Sequence, residues 1–524
     1  MARGTDFDLA KQLATPSFTP AVRDAPALVA LIIAGDEPAA TRAAPALARL
    51  GPPGHAAIEA RLDGGDDGAK ARLVAALGLL ARAGNHDARA QLLARTGDPA
   101  PRVRKAAAVA LGKLGGDDAR DALLARWDAG DAPSDERRAL AEALGKIGGD
   151  QALARLQALD AGDDAELVRR RDRAVLMADR TAKRGEVSTI TGDVAPPAPI
   201  ALQLGCRPGL GVLLGEELAA LGVAARLTGD HGAALQLSGP LASLFAARLW
   251  ATATISIPLP HTGDLATAIT QAITAPPALA LLRAWTRGPI RWRLGFARGH
   301  KRAIVWRVAR DVTAAVPELV NDPTATTWDI LVDEDARTLA LAPRRLDDPR
   351  FAYRVADVPA ASHPTVAAAI AWLGEPRPGD RVWDPFCGSG VELVERARRG
   401  PLRALHGTDL DDRALEAARQ NLAAAGVHAE LAQADARDHA PGPVDLILTN
   451  PPLGSRVQLD AAALLVGALP NLVRALAPGG RLVWITPSSR KTSPVAEQLG
   501  LACTRRFAVD LGGVRGQLER WDRR

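Results

Sequence analysis

The chain has 524 residues with 65 Lys and Arg against 60 Asp and Glu, and its formal net charge at pH 7 is +5. This length exceeds what one hydrophobic core usually serves, so two to four domains are expected. Cys206, Cys387 and Cys503 lie far apart, which excludes a disulfide framework and favours a reducing, cytoplasmic location. No run of eighteen or more apolar residues occurs, so a membrane protein is not expected.

Residues 1–182 contain a repeat. The dipeptides Ala46-Leu47, Ala76-Leu77, Ala110-Leu111 and Ala143-Leu144 recur at intervals of 30, 34 and 33 residues. The sequences ALGKLGGD and ALGKIGGD, which begin at the last two of these dipeptides, are nearly identical. A helix, a Gly-Gly-Asp turn and a second helix per unit resemble HEAT-like repeats, in which each unit buries its apolar face against its neighbours. A plain bundle of alanine-rich helical hairpins is the alternative.

Residues 183–199 lose helical periodicity and gather Pro, Gly and Thr, which predicts a linker. From residue 200 to 350 the strand-like runs IALQLG, AALQLSG, ATISIPLP, RWRLGFA and DILVDE alternate with helical patterns. The helical patterns are LGVLLGEELAALG, LASLFAARLWA and AIVWRVARDVTAAV. This alternation predicts an α+β module. Residues 351–524 then alternate regularly between helix and strand, which predicts an α/β domain with a parallel, doubly wound sheet.

Residues 283–310 contain nine Lys and Arg, no acidic residue and several interleaved aromatic residues. Cations neutralise phosphates and aromatic rings stack on unpaired bases, so this segment is predicted to bind single-stranded or looped nucleic acid. The alternative is that the aromatic residues form core and the arginines a solvated rim; Trp306 is expected in the core. The candidate RNA contacts here are Arg291, Arg293, Arg298, Lys301 and Arg302.

Four segments, LQLGCRPGLGVLLGEELAALG, RWRLGFARGHKRAIVWRVARDV, WDILVDEDARTLALA and FAYRVADVPAASHPTVAAAIAW, resemble the THUMP-containing RNA methyltransferases. The resemblance spans roughly residues 199–513. In that family a ferredoxin-like domain and a THUMP domain bind structured RNA and present it to a class I methyltransferase domain. The resemblance implies such a module at residues 200–350 and such a catalytic domain at residues 351–524. The HEAT-like repeats lie outside it and are a candidate surface for a protein partner.

The sequence VWDPFCGSG is an apolar strand that runs into a Gly-rich turn, and a helix follows it. The glycines allow backbone to approach a ligand closely, and the helix presents free N–H groups near it. The resemblance implies that the ligand is S-adenosylmethionine and that no metal is needed. Cys387 is expected to be a small packing residue. The implied contacts in this turn are Asp384, Pro385, Phe386, Gly388 and Gly390.

The next two strands are expected to complete the cofactor site. Asp409 lies nineteen residues after Gly390, where its carboxylate can accept hydrogen bonds from both ribose hydroxyls, and Leu410 would pack on the adenine. Asp435, followed by Ala436, is placed to accept from the adenine amino group. Taken singly, both aspartates could instead be caps at strand ends.

Upstream, Ser362 and His363 correspond to the family segment that closes over the amino-acid end of the cofactor. A helix N-cap at Ser362 is the alternative.

The sequence VDLILTNPP delivers Asn450, Pro451 and Pro452 from a buried strand to the carboxyl edge of the sheet. A ring-conjugated amino group is a poor nucleophile because its lone pair is delocalised. The Asn450 amide oxygen and the Pro451 carbonyl can each accept one of its N–H bonds and turn the lone pair toward the methyl group. Asn450 would therefore also border the cofactor. No cysteine stands where ring-carbon methylation would need a nucleophile.

Leu453 stands where most family members have an aromatic ring that stacks on the target base. Arg456 continues the pattern of the guanine-directed family and is a further RNA candidate. The resemblance implies N2-methylation of guanosine in tRNA or rRNA. The alternatives are N6-methylation of adenine in RNA or DNA, methylation of a protein glutamine, and a cofactor-binding scaffold without turnover.

Overall fold

A computed structural model describes residues 8–15, 18–35, 37–182, 186–261, 263–359, 361–452 and 460–524. Leu453 and Arg456 lie outside the described residues. The chain divides into two compact units. The first consists of Met1–Val187, Asp264–Thr270 and Lys301–Ala325, and the second of Ser188–Gly263, Gln271–His300 and Thr326–Arg524. Each unit is described by itself below.

The N-terminal part of the first unit is helical, as the repeat pattern predicts. Its helices, in chain order, are α1 Leu9–Gln12, α2 Ala25–Ala34, α3 Glu37–Ala48, α4 Pro52–Leu62, α5 Asp67–Arg82, α6 His86–Ala94, α7 Pro101–Leu114, α8 Asp117–Asp128, α9 Ser134–Ile147, α10 Asp150–Gln157 and α11 Ala165–Ala182. The four repeated Ala-Leu dipeptides lie in α3, α5, α7 and α9, where they are buried in one continuous core. The repeat therefore marks the buried face of every second helix from α3 to α9.

A glycine directly after the Ala-Leu dipeptide sets the spacing between the repeated helices. A Cβ placed on Gly112 of α7 would lie 2.7 Å from both the Cα and the Cβ of Ala143 in α9, closer than real Cβ atoms approach. Helices α7 and α9 therefore pack with their backbones nearly in contact. The same close approach recurs in the neighbouring pairs, at Gly78 against Ala110 and at Gly145 against Ala174.

Residues 189–343 supply short strands and helices, and from residue 200 this agrees with the predicted α+β pattern. They are β1 Thr189–Ile190, β2 Ile200–Gly205, α12 Gly211–Ala220, β3 Arg226–Leu227, β4 Gly232–Leu237, β5 Thr252–Pro258, α13 Leu265–Thr274, α14 Pro276–Trp285, β6 Thr286–Arg287, β7 Ile290–Phe296, α15 Arg302–Ala315, β8 Leu319–Asn321, β9 Trp328–Asp333 and β10 Thr338–Pro343. Strand β1 lies inside the range predicted as a linker, where it pairs with β6. Helix α15 and strand β8 belong to the first unit. Within the second unit the main sheet runs β3-β4-β2-β5-β10-β9-β7. Its pairs are antiparallel except β7 with β9.

The helix predicted for LASLFAARLWA is wrong, because the segment forms only a short 3-10 turn at Leu241–Leu244. The backbone N–H groups of Arg248 and Leu249 both donate to Oε2 of Glu217, at 2.9 Å each. The indole N–H of Trp250 donates to the carbonyl of Leu244 at 3.1 Å. A buried carboxylate thus satisfies N–H groups that a helix would have bonded internally.

The C-terminal part of the second unit is a Rossmann-like domain with the predicted alternation. Its elements are α16 Pro364–Leu373, β11 Arg381–Asp384, α17 Val391–Ala397, β12 Ala404–Asp409, α18 Asp412–Ala425, β13 Glu430–Gln433, β14 Val444–Thr449, α19 Ala461–Ala475, β15 Leu476–Thr486, α20 Ser489–Gln498, β16 Leu501–Asp510 and β17 Arg515–Arg523. The sheet order is β13-β12-β11-β14-β15-β17-β16. Strands β11 to β15 pair in parallel, and β17 is antiparallel to β15 and β16. The strand order reverses on either side of β11, which is where such sheets bind ligands.

Among the helices in the described ranges, none is by itself long and apolar enough to cross a membrane. Helices α13 and α14 reach that length and composition only as a bent pair.

Gly112→Ala should lower the free energy of unfolding by about 1–3 kcal/mol, because the added methyl forces α7 and α9 apart. Gly97→Ala is the matched control, since no atom lies within 4 Å of a Cβ built there. Urea denaturation of the two variants measures the difference. Equal stability of both would show that the helix spacing does not depend on the glycine.

Candidate active site

Neighbouring parallel strands deliver polar residues to one edge of the Rossmann-like sheet. Strand β11 ends at Asp384, β12 ends at Asp409, and Asn450 directly follows β14. Strand β11 lies between β12 and β14. The three side chains therefore start from the same, carboxyl edge, as the sequence predicts.

The Gly-rich turn after β11 has two glycines with different tasks. Gly388 and Gly390 have φ values of +50° and +76°, in the left-handed region that favours glycine. A Cβ on Gly388 would meet no atom within 4 Å, so its backbone borders open space. A Cβ on Gly390 would lie 3.1 Å from Ala418 of α18, so this glycine serves helix packing. Only the first position leaves room for a ligand.

Asp409 is held in a fixed orientation at the end of β12. Its Oδ2 accepts a hydrogen bond from the N–H of Gly388 at 2.9 Å, and its Oδ1 accepts from the N–H of Asp411 at 3.0 Å. Leu410 beside it is 62% exposed, which is unusual for a large apolar side chain. A fixed carboxylate, an exposed apolar face and an open glycine backbone together fit the ribose and base of a nucleoside.

Asp435 has a local partner, in agreement with the alternative that it is a cap. Both of its carboxylate oxygens accept from the guanidinium of Arg437, and Oδ1 also accepts the Arg437 backbone N–H at 2.9 Å. The hydrogen bonds from Arg437 lower the pKa of Asp435. Its neighbour Ala436 is buried. Asp435 therefore forms a turn cap, and only its remaining lone pairs could accept from a ligand.

Several residues of the turn after β11 are buried and shape it from within. Asp384 is fully buried, and its Oδ1 accepts the backbone N–H of Phe386 at 3.1 Å. Pro385 is buried and Phe386 is half-buried. Burial raises the pKa of the Cys387 thiol well above its usual value. Cys387 is thus a protonated packing residue, and Asp384 organises the turn rather than facing solvent.

Asn450, which is half-buried, belongs to a hydrogen-bonded chain of three polar side chains. Its Nδ2 donates to Oγ of Ser362 at 2.8 Å, and this hydroxyl in turn donates to Oε1 of Glu392. Oδ1 of Asn450 is buried and has no hydrogen-bond partner among the described residues. Pro451 is buried and Pro452 half-buried. Ser362 is not the N-cap of α16; that position belongs to His363.

The acidic groups behind this edge are poorly solvated. Burial, and next the negative charge of Glu392, raise the pKa of Asp384 well above its usual value. Burial also raises the pKa of Glu392 to about 7, against a hydrogen bond from Ser362 that lowers it. Such shifts are typical of functional sites.

Glu392 and Glu395 are site residues that the sequence did not single out. In VELVERARR their spacing suggests the exposed face of an amphipathic helix, yet both are buried. Glu395 accepts from the guanidinium of Arg248 at 2.5 and 2.8 Å and from the hydroxyl of Tyr353 at 2.6 Å. The one feature of the sequence that could have identified them is that two acidic residues follow directly after a Gly-rich turn.

The predicted RNA contacts fare differently. Arg291 is wrong as a contact, because it lies within β7 with 1% exposure. Arg293 is partly exposed and pairs with Asp329 at 2.6 Å. Arg298 is 82% exposed and pairs with Asp335 at 2.8 Å. Lys301 and Arg302, at the start of α15, belong to the first unit.

Two of the four aromatic residues in the basic segment are core residues. Trp285 and Trp292 are buried, in agreement with the alternative that the aromatic residues are core. Trp306, which was expected in the core, is only half-buried and carries the guanidinium of Arg173 5.4 Å from its ring centroid.

A cleft of about 680 Å³ opens beside the carboxyl end of β15. Pro487, Arg490 and Lys491 line one wall, and Arg515 and Asp510 lie on the hairpin of β16 and β17. Strand β15 pairs in parallel with β14, so the cleft opens at the sheet edge that carries Asn450. Its cations were missed because they are scattered along the sequence.

Comparisons with known proteins support the fold. Residues 352–517 match a family described as "RMKL-like, methyltransferase domain", and residues 55–140 match HEAT repeats. The crystal structure of TrmN from Thermus thermophilus is similar with a TM-score of 0.51 and 26% identity, and the similarity covers 62% of this chain and 100% of that one. The C-terminal domain therefore has the Rossmann-like methyltransferase fold.

Two curated relatives are similar to the chain over shorter stretches. A tRNA (guanine(6)-N2)-methyltransferase of Thermus thermophilus is 37% identical over 160 residues, which are 29% of this chain and 47% of that protein. Ribosomal RNA small subunit methyltransferase C of Pseudomonas aeruginosa is 36% identical over 121 residues, 23% of this chain and 36% of that protein. The chain thus spans less than half the length of these relatives.

Glu392→Gln should change stability in a pH-dependent way. A carboxyl whose folded-state pKa is raised from 4.5 to about 7 contributes stability below pH 4.5 and loses it as the pH rises through 7. Glutamine does not titrate, so the melting temperature of the variant relative to wild type should rise between pH 5 and pH 8. Thermal denaturation measures this, with Glu497→Gln on the exposed side of α20 as control. A difference that is constant with pH contradicts the burial argument.

Proposed function

We propose that this chain uses S-adenosylmethionine to methylate the exocyclic N2 amino group of a guanosine in tRNA or rRNA. The observation that carries the proposal is the buried Oδ1 of Asn450, which has no hydrogen-bond partner among the described residues and lies at the sheet edge where Asp409 is held. The match of residues 352–517 to a methyltransferase family and the names of the two relatives support this reading.

The residues around β12 fit S-adenosylmethionine. Asp409 would accept hydrogen bonds from the ribose hydroxyls, and Leu410 would cover the adenine. Gly388 leaves its backbone open toward the ligand, and Asp435 keeps lone pairs for the adenine amino group. When bound, this cofactor supplies an electrophilic methyl group on its sulfonium sulfur.

Asn450 would activate the amino group of the base. Its Oδ1 accepts one N–H and the Pro451 carbonyl accepts the other, which draws the nitrogen toward tetrahedral geometry. The two prolines restrict the backbone that carries this carbonyl. The methylated cationic amine is acidic and loses its proton readily, so no strong base is required. Orientation and fixed dipoles therefore supply much of the rate.

The rest of the chain would serve substrate recognition. Residues 200–350 are proposed to form a ferredoxin-like plus THUMP-like RNA module, supported by the similarity to TrmN over the full length of that protein. The HEAT-like repeats of residues 1–182 would offer a surface for a protein partner. The cytoplasm, where tRNA and rRNA occur, is the proposed location.

Two RNA classes are candidates, because one relative is named for tRNA and the other for ribosomal RNA. N6-adenine methylation, protein glutamine methylation and a scaffold role are the competing outcomes.

The RNA backbone is proposed to run along the cleft beside β15. Arg490, Lys491 and Arg515 have no ion-pair partner among the described residues and lie at the edge that carries Asn450. Phosphates beside a nucleotide drawn into the site would meet these cations. Arg293 and Arg298 of the second unit, and Lys301 and Arg302 of the first unit, are proposed as separate RNA contacts.

Asp409→Ala should weaken S-adenosylmethionine binding by about 2–3 kcal/mol, because two ribose hydroxyls lose a charged acceptor. Asp412→Ala is the matched control, since Asp412 is an exposed aspartate in the first turn of α18. Isothermal calorimetry measures both. Unchanged affinity in Asp409→Ala would remove this residue from the site.

Asn450→Ala should bind the cofactor as wild type does, yet lose methyl transfer by about a hundredfold or more, because a preorganised acceptor is gone. Transfer of labelled methyl groups to RNA measures the rate, with exposed Gln498→Ala as control. Normal turnover in Asn450→Ala would rule out amino-group activation by this amide.

Arg490→Glu with Lys491→Glu should weaken RNA binding and reduce the slope of log affinity against log salt by about 2, one for each lost phosphate contact. A second variant with Arg298, Lys301 and Arg302 changed to Glu tests the predicted basic segment in the same assay. Arg403→Glu with Arg419→Glu is the control, since Arg403 precedes β12 at the opposite edge of the sheet. An unchanged salt slope in the first variant would exclude the cleft as the phosphate contact.

A further inference from the structure

Asn450 can act as an acceptor only if its amide is turned the right way. The two ends of an amide differ, because Oδ1 accepts hydrogen bonds and Nδ2 only donates them. If Nδ2 faced the substrate amino group, two donors would oppose each other. Something in the protein must therefore select the orientation, since the two rotamers have almost the same shape.

The buried contact between Ser362 and Glu392 makes that selection. Ionised Glu392 has acceptor oxygens and no proton to give, so the one hydroxyl proton of Ser362 must point at it. Oγ of Ser362 is then left with lone pairs alone on the side of Asn450. It can hold Nδ2 at 2.8 Å but cannot hold Oδ1. The direction of the hydrogen bonds from Asn450 through Ser362 to Glu392 therefore determines which end of the Asn450 amide is the oxygen.

We propose that Ser362 and Glu392 are positioning residues that orient the Asn450 amide so that Oδ1 faces the substrate amino group. This inference rests on the proposed function, in which Oδ1 accepts an N–H of the substrate. It adds that Ser362 and Glu392, which lie on other elements, hold Oδ1 in that orientation. Ser362 precedes α16 and Glu392 lies in the first turn of α17. Neither residue touches substrate in this account; both act through Asn450.

The selection depends on the charge of Glu392, and the groups around it make that charge sensitive to pH. Asp384 at the end of β11 and Glu395 on α17 repel its charge, while Arg354, before α16, attracts it. A protonated Glu392 can donate to Ser362, and the hydroxyl proton can then turn toward Oδ1 of Asn450. The Asn450 amide would then rotate so that Nδ2 faces the substrate, or its Oδ1 would accept the Ser362 proton in place of the substrate N–H. Methyl transfer should therefore fall on the acidic side of about pH 7.

The first experiment compares kcat, KM and pH profile in Glu392→Gln, Ser362→Ala and Ser362→Thr. Glutamine can donate permanently to Ser362, so Glu392→Gln should lower kcat by at least tenfold with little change in KM for cofactor, and it should abolish the acidic limb. Ser362→Ala should also lose the limb. Ser362→Thr keeps the hydroxyl, so this variant should keep the wild-type kcat and the acidic limb of the pH profile. Glu416→Gln, on the exposed side of α18, is the control.

A second experiment does not depend on turnover. The sequence contains five asparagines, so selective ¹⁵N labelling gives five side-chain amide pairs, and Asn450→Ala assigns one of them. The Asn450 amide signals should titrate near pH 7 in the wild type and stop titrating in Glu392→Gln and Ser362→Ala. Asn85, which caps α6, is the internal reference.

The two experiments separate the possible failures. If wild type methylates RNA while Glu392→Gln and Ser362→Ala keep its kcat and its acidic limb, the positioning role is wrong and the proposed function stands. If no RNA is methylated, the proposed function fails. The titration of the Asn450 amide signals then decides whether Glu392 orients that amide through Ser362. Asn450 signals that do not respond to pH in the wild type would overturn the inference in either case.

Discussion

Parallel pairing of β11 with β12 and β14 is the constraint on which the rest of the site depends. It brings the ends of three strands that are far apart in sequence to one edge, and it places Asp384 between Asp409 and Asn450. The turn after β11 can then bond its Gly388 N–H to Asp409 on the neighbouring strand. The opposite neighbour, β14, brings Asn450 to Ser362. The strand order therefore places the proposed cofactor contact Asp409 on one side of β11 and the proposed substrate contact Asn450 on the other.

Buried carboxylates hold this edge from behind. Helix α17 begins directly after the Gly-rich turn and carries both Glu392 and Glu395 into the interior. Glu395 is matched by Arg248, and removal of that arginine would leave an unpaired buried charge at a cost of about 3–5 kcal/mol. Glu392 makes no ion pair within the described part of the chain, and its pKa is raised by burial. The same helix thus carries one acid that anchors it and one that remains able to titrate.

The sequence predicted the parts that depend on local pattern. The Ala-Leu repeat corresponds to buried helix faces. The apolar strands that end in Asp384, in Asp409 and just before Asn450 were predicted from the apolar runs. These features follow from periodicity and from residues with special backbone needs. The similarity of residues 352–517 to a methyltransferase family agrees with that prediction.

The sequence could not predict features that depend on a distant partner. Arg291 looked like one of a row of surface cations, but its place inside β7 buries it. The sequence after Pro240 predicts a helix. In the structure, two backbone N–H groups of this segment donate instead to a carboxylate oxygen of Glu217 on α12. The link from Glu392 through Ser362 to Asn450 joins residues 30 and 88 positions apart. No local pattern specifies such contacts, because tertiary packing decides them.

The most direct test of the account is mass spectrometry of nucleosides from tRNA and rRNA incubated with the full chain and isotopically labelled S-adenosylmethionine. The account predicts label in N2-methylguanosine, and none when Asn450 is replaced by alanine. Label in N6-methyladenosine would contradict the assignment of the base. Label in neither nucleoside, with the cofactor still bound, would contradict the assignment of the chain as an RNA methyltransferase.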